Sequence, residues 1–117
     1  MNKVSVIMST YKEPIDWIRQ SIDSILNQTF SEFEFMIVVD NPKYKELISV
    51  LNDYAEADNR ICIMVNENNI GLVKSLNKAL SQCNGEYIVR MDADDISLPE
   101  RIAHQIDYIN NKKYDLV

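Results

Sequence analysis

Three carboxylates lie within four residues at the end of a strand-like run. Asp92, Asp94 and Asp95 directly follow the mostly apolar residues 86–91. Carboxylates this close repel one another unless a cation lies between them. Hard divalent ions such as Mg²⁺ and Mn²⁺ take oxygen ligands, often one or two protein carboxylates together with substrate phosphates. The cluster therefore predicts a site for a metal ion and a diphosphate; an acidic turn before a helix is the alternative.

Four strand-like runs alternate with four helical patterns along the chain. The runs are apolar and rich in β-branched residues, as expected of strands that are covered on both faces. They lie at residues 3–9, 34–39, 60–65 and 86–91. This alternation predicts an α/β fold with a three-layer, doubly wound, mainly parallel sheet. Because such sheets bind ligands at the carboxyl ends of their strands, the polar loops there are predicted to form one site.

The helical patterns have sequence signals at their ends. Asn41 and Pro42 are predicted to open the second helix, and Ser97 with Glu100 forms a predicted capping box for the fourth.

Large apolar residues inside the predicted elements are assigned to the core by default. They include Trp17, Met8, Met36, Met64 and Met91.

Composition narrows the function classes. The chain has 117 residues, the length of one domain, and a net charge of -6. That charge argues against binding to nucleic acid or to anionic membranes. No apolar stretch reaches the length of a membrane span, so a cytoplasmic location is expected, or the inner face of the membrane for a longer protein. Cys62 and Cys83 have no nearby ligand set and are predicted to be reduced thiols.

The last residues indicate a longer polypeptide. Residues 114–117 have the pattern of a fifth strand that has only begun. We therefore expect residues 1–117 to be the N-terminal part of a catalytic domain. The unfinished sheet would expose an edge through which the chain could self-associate.

Several motifs occur in an informative order. They are VSVIMSTY at 4–11, SILNQTF at 24–30, NIGL at 69–72, GEYIVRMDADDI at 85–96 and PER at 99–101. With these motifs the chain resembles the N-terminal, nucleotide-binding half of a family 2 glycosyltransferase with the A-type nucleotide-sugar fold. One departure is that the family commonly continues its second strand into Asp-Asp-Gly-Ser, where this chain has Asp40, Asn41, Pro42 and Lys43.

The resemblance implies an inverting, metal-dependent transfer of a sugar from a nucleoside diphosphate donor, usually UDP-linked. It implies Mn²⁺ or Mg²⁺ as cofactor and a glycan or lipid-linked acceptor, often in surface polysaccharide synthesis. The family's catalytic base is a carboxylate further along the chain, which would lie beyond Val117. By itself this donor-binding half is expected to have little or no transferase activity.

The resemblance also implies roles for residues that bind the nucleotide. Thr10 and Tyr11 would line the base pocket, with Tyr11 stacking on uracil. Glu13 would close that loop. Asp40 would accept a hydrogen bond from the uracil NH, although it could instead cap the next helix in competition with Asn41.

Further roles concern the diphosphate and the sugar. Asp92 would contact the ribose, and Asp94 would bind the metal that bridges the diphosphate oxygens. Asp95 would lie near the donor sugar or support the loop. Lys74 is a candidate for the donor side.

Other functions are considered beside this one. A nucleotidyltransferase would carry a loop rich in Gly, Arg and Lys after its first strand, whereas residues 9–14 contain no glycine. A dinucleotide dehydrogenase needs a GxGxxG turn, and the chain has two glycines. A module that kept the fold and lost catalysis stays open, and a carboxylate base downstream would distinguish the enzyme from it.

Overall fold

The computed structural model describes residues 4–112, so the predicted fifth strand at 114–117 lies outside the described residues. Within that range the predicted alternation of four strands and four helices is confirmed. The elements are β1 Val4–Thr10, α1 Ile15–Leu26, β2 Phe33–Val39, α2 Lys45–Ala57, β3 Ile61–Val65, α3 Leu72–Ser81, β4 Tyr87–Arg90 and α4 Arg101–Lys112.

The strands form one parallel sheet in the order β3-β2-β1-β4. In register, Thr10 at the end of β1 lies beside Val39 at the end of β2. On the other side of β1, Ile7 pairs with Arg90, and the Met91 N–H donates to the Ile7 carbonyl at 2.9 Å. The loops that follow β1, β2 and β4 therefore leave the sheet at the same edge, as the α/β prediction requires.

Helices cover both faces of the sheet and bury its apolar side chains. One core cluster joins α1, α2 and α4 to the sheet through Ile22, Leu51 and Ile102, each fully buried. A smaller cluster on the other face brings Ala79 of α3 against Met36. Burying each large aliphatic side chain contributes about 1.5–3 kcal/mol. The three-layer architecture is thus confirmed, and the sheet is a rigid base for the loops at its edge.

The second helix starts later than predicted. Asn41 precedes a turn at Pro42 and Lys43, and α2 begins at Lys45. The Asn41 side chain is used elsewhere: its Oδ1 accepts from the Lys43 N–H at 3.2 Å, and its Nδ2 donates to the Tyr11 carbonyl at 3.1 Å. Asn41 therefore ties the loop after β2 to the loop after β1 and does not cap the helix.

The predicted capping box of Ser97 and Glu100 is wrong. Helix α4 begins at Arg101, after both residues. Ser97 is buried, and its Oγ donates to Met91 Sδ at 3.3 Å and accepts from Arg101 Nη1 at 2.9 Å. The Ser97 hydroxyl thus connects the end of β4 to α4. Because it makes these tertiary contacts, it does not cap the helix.

The core assignment is right for three methionines and wrong for the tryptophan. Met8, Met36 and Met91 are buried, and Met64 packs partly buried at the edge of the smaller cluster. Trp17 is 53% exposed, because it precedes the buried stripe of α1 by one residue.

Both cysteines are free thiols, as predicted. None of the helices within residues 4–112 has the length and hydropathy that a membrane span requires.

Candidate functional site

A cavity of about 360 Å³ opens where β1 and β2 end, next to the start of α3. Four of the residues predicted to bind a nucleotide line it together. The lining residues are Ser9, Thr10, Tyr11, Glu13, Asp40, Asn69, Gly71 and Leu72. Two neighbouring strand ends and a helix start thus bring separate parts of the sequence to one place.

Glu13 accepts hydrogen bonds from the last residue of β1 and from the first residue of the loop that follows. Its Oε1 accepts from the Thr10 hydroxyl at 2.6 Å and from the Tyr11 N–H at 2.8 Å. The Glu13 carbonyl also accepts from the Tyr44 hydroxyl at 3.1 Å. In this loop the Tyr11 ring is 40% exposed, with the Lys12 ammonium 5.3 Å from its centroid. The ring is therefore held at the mouth of the cavity, where a planar base could reach it.

The Asp40 carboxylate holds the loop that follows β3. It is 3% exposed, and each of its oxygens accepts two hydrogen bonds. Oδ1 accepts from Asn66 Nδ2 at 2.9 Å and the Ile70 N–H at 2.8 Å. Oδ2 accepts from Asn69 Nδ2 at 3.1 Å and the Gly71 N–H at 2.8 Å. Because a carboxylate has about four lone-pair sites, a bond to a base would have to displace one of these donors.

These contacts also set the ionisation of Asp40. Burial alone would raise its pKa, but the hydrogen bonds from Ile70, Asn66 and Gly71 outweigh burial and hold the pKa below its ordinary value. The side chain is thus a carboxylate held in place by four hydrogen bonds in the cavity lining. Its predicted contact with a uracil NH stays a prediction.

A polar network beneath the same loop was not anticipated from the sequence. Asn66 is buried, and its Nδ2 donates to Ser75 Oγ at 3.1 Å as well as to Asp40. Lys78 Nζ donates to Asn66 Oδ1 at 2.8 Å. Gly71 has a φ of 93°, a conformation that favours glycine, and its carbonyl accepts from the Ser75 N–H. The motif at 69–72 is therefore the turn that delivers two backbone donors to Asp40.

The three carboxylates after β4 come together as predicted. One oxygen from each of Asp92, Asp94 and Asp95 lies within 4.8 Å of the others, and all three residues are exposed. Arg90 Nη2 forms an ion pair with Asp92 Oδ1 at 3.1 Å and offsets part of the negative charge. Three carboxylate oxygens at this separation could serve together as ligands of a hard divalent cation. The residues present therefore fit the metal that the resemblance implied.

Ser21 of α1 holds the backbone of this acidic loop. Its fully buried Oγ lies 2.7 Å from the Ala93 carbonyl oxygen and 2.5 Å from the Asp95 carbonyl oxygen. The single hydroxyl proton is shared between the two acceptors. Ser21 thus fixes the carbonyls that flank Asp94.

Ser24 of α1 and Gln28, which follows the end of that helix, hold the segment after the acidic loop. Ser24 Oγ accepts from the Ser97 N–H at 3.0 Å. Gln28 Nε2 donates to the Leu98 carbonyl at 2.7 Å, and Gln28 Oε1 accepts from the Ile102 N–H at 3.0 Å. The sequence signal was polar residues at positions 21 and 24 within an amphipathic helix and a further one at 28, just after its end. Such residues require buried partners.

The candidate Lys74 and the histidine of the chain lie apart from these groups. Lys74 is exposed on α3 and lines neither the cavity beside Tyr11 nor the one beside Asp94. His104, the one histidine of the chain, is exposed on α4 and lines a separate cavity with Arg101.

Comparison with known proteins gives a consistent result. The family model described as "Glycosyl transferase family 2" matches residues 5–117. An uncharacterized glycosyltransferase of Methanocaldococcus jannaschii is 45% identical over 115 residues, which are 97% of this chain and 40% of the relative. The O-antigen biosynthesis glycosyltransferase WbnJ of Escherichia coli is 38% identical over 118 residues, covering 100% of this chain and 45% of the relative. The chain thus spans less than half the length of these two relatives.

Solved structures share the fold. Staphylococcus aureus TarS in complex with UDP-GlcNAc superposes with a TM-score of 0.83 at 28% identity, over 93% of this chain and 31% of that one. A mannosyltransferase of Pyrobaculum calidifontis, in complex with GDP-Man and Mn²⁺, superposes with a TM-score of 0.82 at 24% identity, over 92% of this chain and 32% of that one. The likeness to the second protein concerns the fold alone.

Proposed function

The chain belongs to glycosyl transferase family 2, and from this membership we propose that the whole protein transfers a sugar from a nucleoside diphosphate donor, with inversion, to an acceptor hydroxyl. One observation carries the proposal: the cavity beside Tyr11 and the three carboxylates after β4 lie at the same edge of the sheet. A nucleoside diphosphate needs a cavity for its base and a cation site for its diphosphate, and this edge of the sheet offers both.

In this proposal the nucleoside occupies the cavity at the ends of β1 and β2, and UDP is the nucleotide. The exposed Tyr11 ring would stack on the base, and Thr10 would line the pocket with Glu13 holding the loop in shape. A contact between Asp40 and the uracil NH would replace the Asn69 amide. The hydrogen bond from Asn69 Nδ2 is the longest of the four to the carboxylate, at 3.1 Å, and Asn69 is exposed.

The diphosphate would lie at the acidic loop. Asp94 would hold Mn²⁺ or Mg²⁺, Asp92 would contact the ribose, and Asp95 would lie near the donor sugar or support the loop. A bound ion supplies electrostatic stabilisation of the negative charge that develops on the departing diphosphate. Ser21 holds the backbone carbonyls on either side of Asp94 in place.

Residues 1–117 are proposed to be the donor-binding half of the catalytic domain. The carboxylate that removes the acceptor's proton would belong to the part of the protein beyond Val117. A glycan or lipid-linked acceptor in surface polysaccharide synthesis is supported by the relative that acts in O-antigen biosynthesis. We further propose that the whole protein works in the cytoplasm or at the inner face of the membrane.

Calorimetry of UDP binding tests the donor and metal assignments. We expect Mn²⁺ to strengthen UDP binding, and a chelator or Asp94→Ala to weaken it by at least about tenfold, equivalent to about 1.4 kcal/mol. Asp107→Ala is the matched control, because it removes an exposed carboxylate from α4. Equal UDP affinity under all these conditions would contradict the metal assignment, and no UDP binding at all would contradict the proposed donor.

A further inference from the structure

The single tryptophan of the chain stands exposed beside the acidic loop. Trp17 lies on α1 and is 53% exposed, although an indole normally gains from burial. Gln20, one helical turn further on, and Asp94 line a cavity of about 290 Å³ with it. A tryptophan, an amide side chain and a carboxylate thus border one open space.

This combination suits a pyranose ring. The C–H face of a sugar is apolar and packs on an aromatic ring, while its rim carries hydroxyls. The Gln20 amide offers both a donor and an acceptor for those hydroxyls, and a carboxylate is an acceptor. Ligand sites in proteins typically combine an apolar surface with a few convergent polar groups in this way.

This cavity lies where the transferred sugar of a bound donor is expected. The sugar is bonded to the phosphate farther from the nucleoside, so it must lie beyond the diphosphate. The cavity beside Trp17 shares no residue with the cavity beside Tyr11, and Asp94 lines the former. A donor extended across the acidic loop would therefore bring its sugar next to Trp17.

Helix α1, which carries Trp17, is also bonded to the acidic loop. Ser21 lies one turn after Trp17 and binds the carbonyls of Ala93 and Asp95, on either side of Asp94. Trp17 and the backbone on either side of Asp94 are consequently connected through α1. We propose that the Trp17 indole stacks on the pyranose of the nucleotide-sugar donor and that Gln20 binds its hydroxyls. This inference depends on the function proposed above.

Because the chain has one tryptophan, its fluorescence reports on this site alone. The probes are UDP, UDP-glucose and UDP-GlcNAc, each with Mn²⁺, with acrylamide as a quencher. We expect the two sugar nucleotides to protect the indole from acrylamide and UDP to leave quenching unchanged. Protection by UDP alone to the same extent would overturn the proposal, because the indole would then sense the nucleotide or the metal.

Calorimetry with variants supplies a second, independent readout. Trp17→Ala should weaken binding of the sugar nucleotides by about threefold to tenfold, as expected for loss of one aromatic contact, and should leave UDP affinity unchanged. Trp17→Phe should restore most of the affinity, and Gln20→Ala should lose part of it. Val73→Ala, an exposed apolar residue on α3, is the control and should change neither.

The outcomes separate this inference from the proposed function. If UDP binds with Mn²⁺ but Trp17→Ala binds UDP and the sugar nucleotides like the wild type, the sugar platform is refuted and the proposed function stands. If the indole is protected by an added acceptor saccharide and not by the sugar nucleotides, Trp17 serves the acceptor and the donor assignment is refuted. If UDP does not bind, the proposed function fails, and this inference fails with it.

Discussion

Replacing Asp40 tests whether this carboxylate stabilises the fold, in addition to any contact it makes with a ligand. Asp40→Ala removes the acceptor for two backbone N–H groups, those of Ile70 and Gly71, and for the amides of Asn66 and Asn69. A buried donor left without a partner costs about 1–3 kcal/mol. Water can reach the exposed Ile70 and Asn69 once the carboxylate is gone, so the full sum does not apply. We expect the free energy of unfolding to fall by about 2–4 kcal/mol.

Asp40→Asn is the matched variant that preserves shape. One oxygen still accepts two donors, but the new NH₂ group faces the Gly71 N–H, which cannot turn away as a side-chain amide can. The expected loss is about 1–2 kcal/mol at neutral pH. Urea unfolding followed by circular dichroism measures both variants without any nucleotide.

The effect should depend on pH with a defined sign. The hydrogen bonds lower the pKa of Asp40 in the folded state. The carboxylate therefore stabilises the fold above the unfolded-state pKa of about 3.9, and this contribution is lost as the pH falls through the folded-state pKa. The gap in stability between wild type and Asp40→Asn should be widest near neutral pH and should narrow in acid.

Two results would refute this reasoning. A loss below about 0.5 kcal/mol for Asp40→Ala would mean that the four contacts do not stabilise the loop. A gap that stays constant from about pH 6 to pH 3 would mean that the charge is not the stabilising element. UDP affinity, measured on Asp40→Asn where it is still folded, separately tests the predicted contact with uracil.

Three further predictions follow from packing. Ser21→Ala should lower stability by about 1–3 kcal/mol and weaken Mn²⁺-dependent UDP binding, while Ser81→Ala on the exposed face of α3 should do neither; calorimetry and urea unfolding measure both. Gly85→Ala should destabilise strongly in urea unfolding, since a Cβ there would lie 2.6 Å from a backbone nitrogen of β1; wild-type stability would refute the close approach. Thiol titration at neutral pH should show exposed Cys62 reacting first, because burial raises the pKa of Cys83; equal rates would contradict this.

Local sequence signals for helix starts gave wrong predictions where the side chain binds residues of another element. Ser97 has the sequence context of a helix cap, yet it binds the end of β4 and Arg101. Asn41 likewise ties two loops together and does not start α2. Trp17 is apolar and lies in a helix, but its position one residue before the buried stripe leaves it exposed. The partners of Ser97 and Asn41 depend on the tertiary structure, whereas the exposure of Trp17 follows from the periodicity of α1 itself.

The sequence by itself determined the order of the elements, the parallel sheet and the edge at which the polar loops meet. It did so because hydrophobic periodicity and strand composition are local properties. It also indicated the acidic cluster, since Asp92, Asp94 and Asp95 are neighbours in the chain.

Only the tertiary structure decided which residues support the site. The bonds from Ser21 to the acidic loop span 72 and 74 positions, and those to Asp40 come from residues 26 to 31 positions away. Hydrogen bonds at such separations depend on how the helices pack on the sheet, and no local pattern encodes that packing.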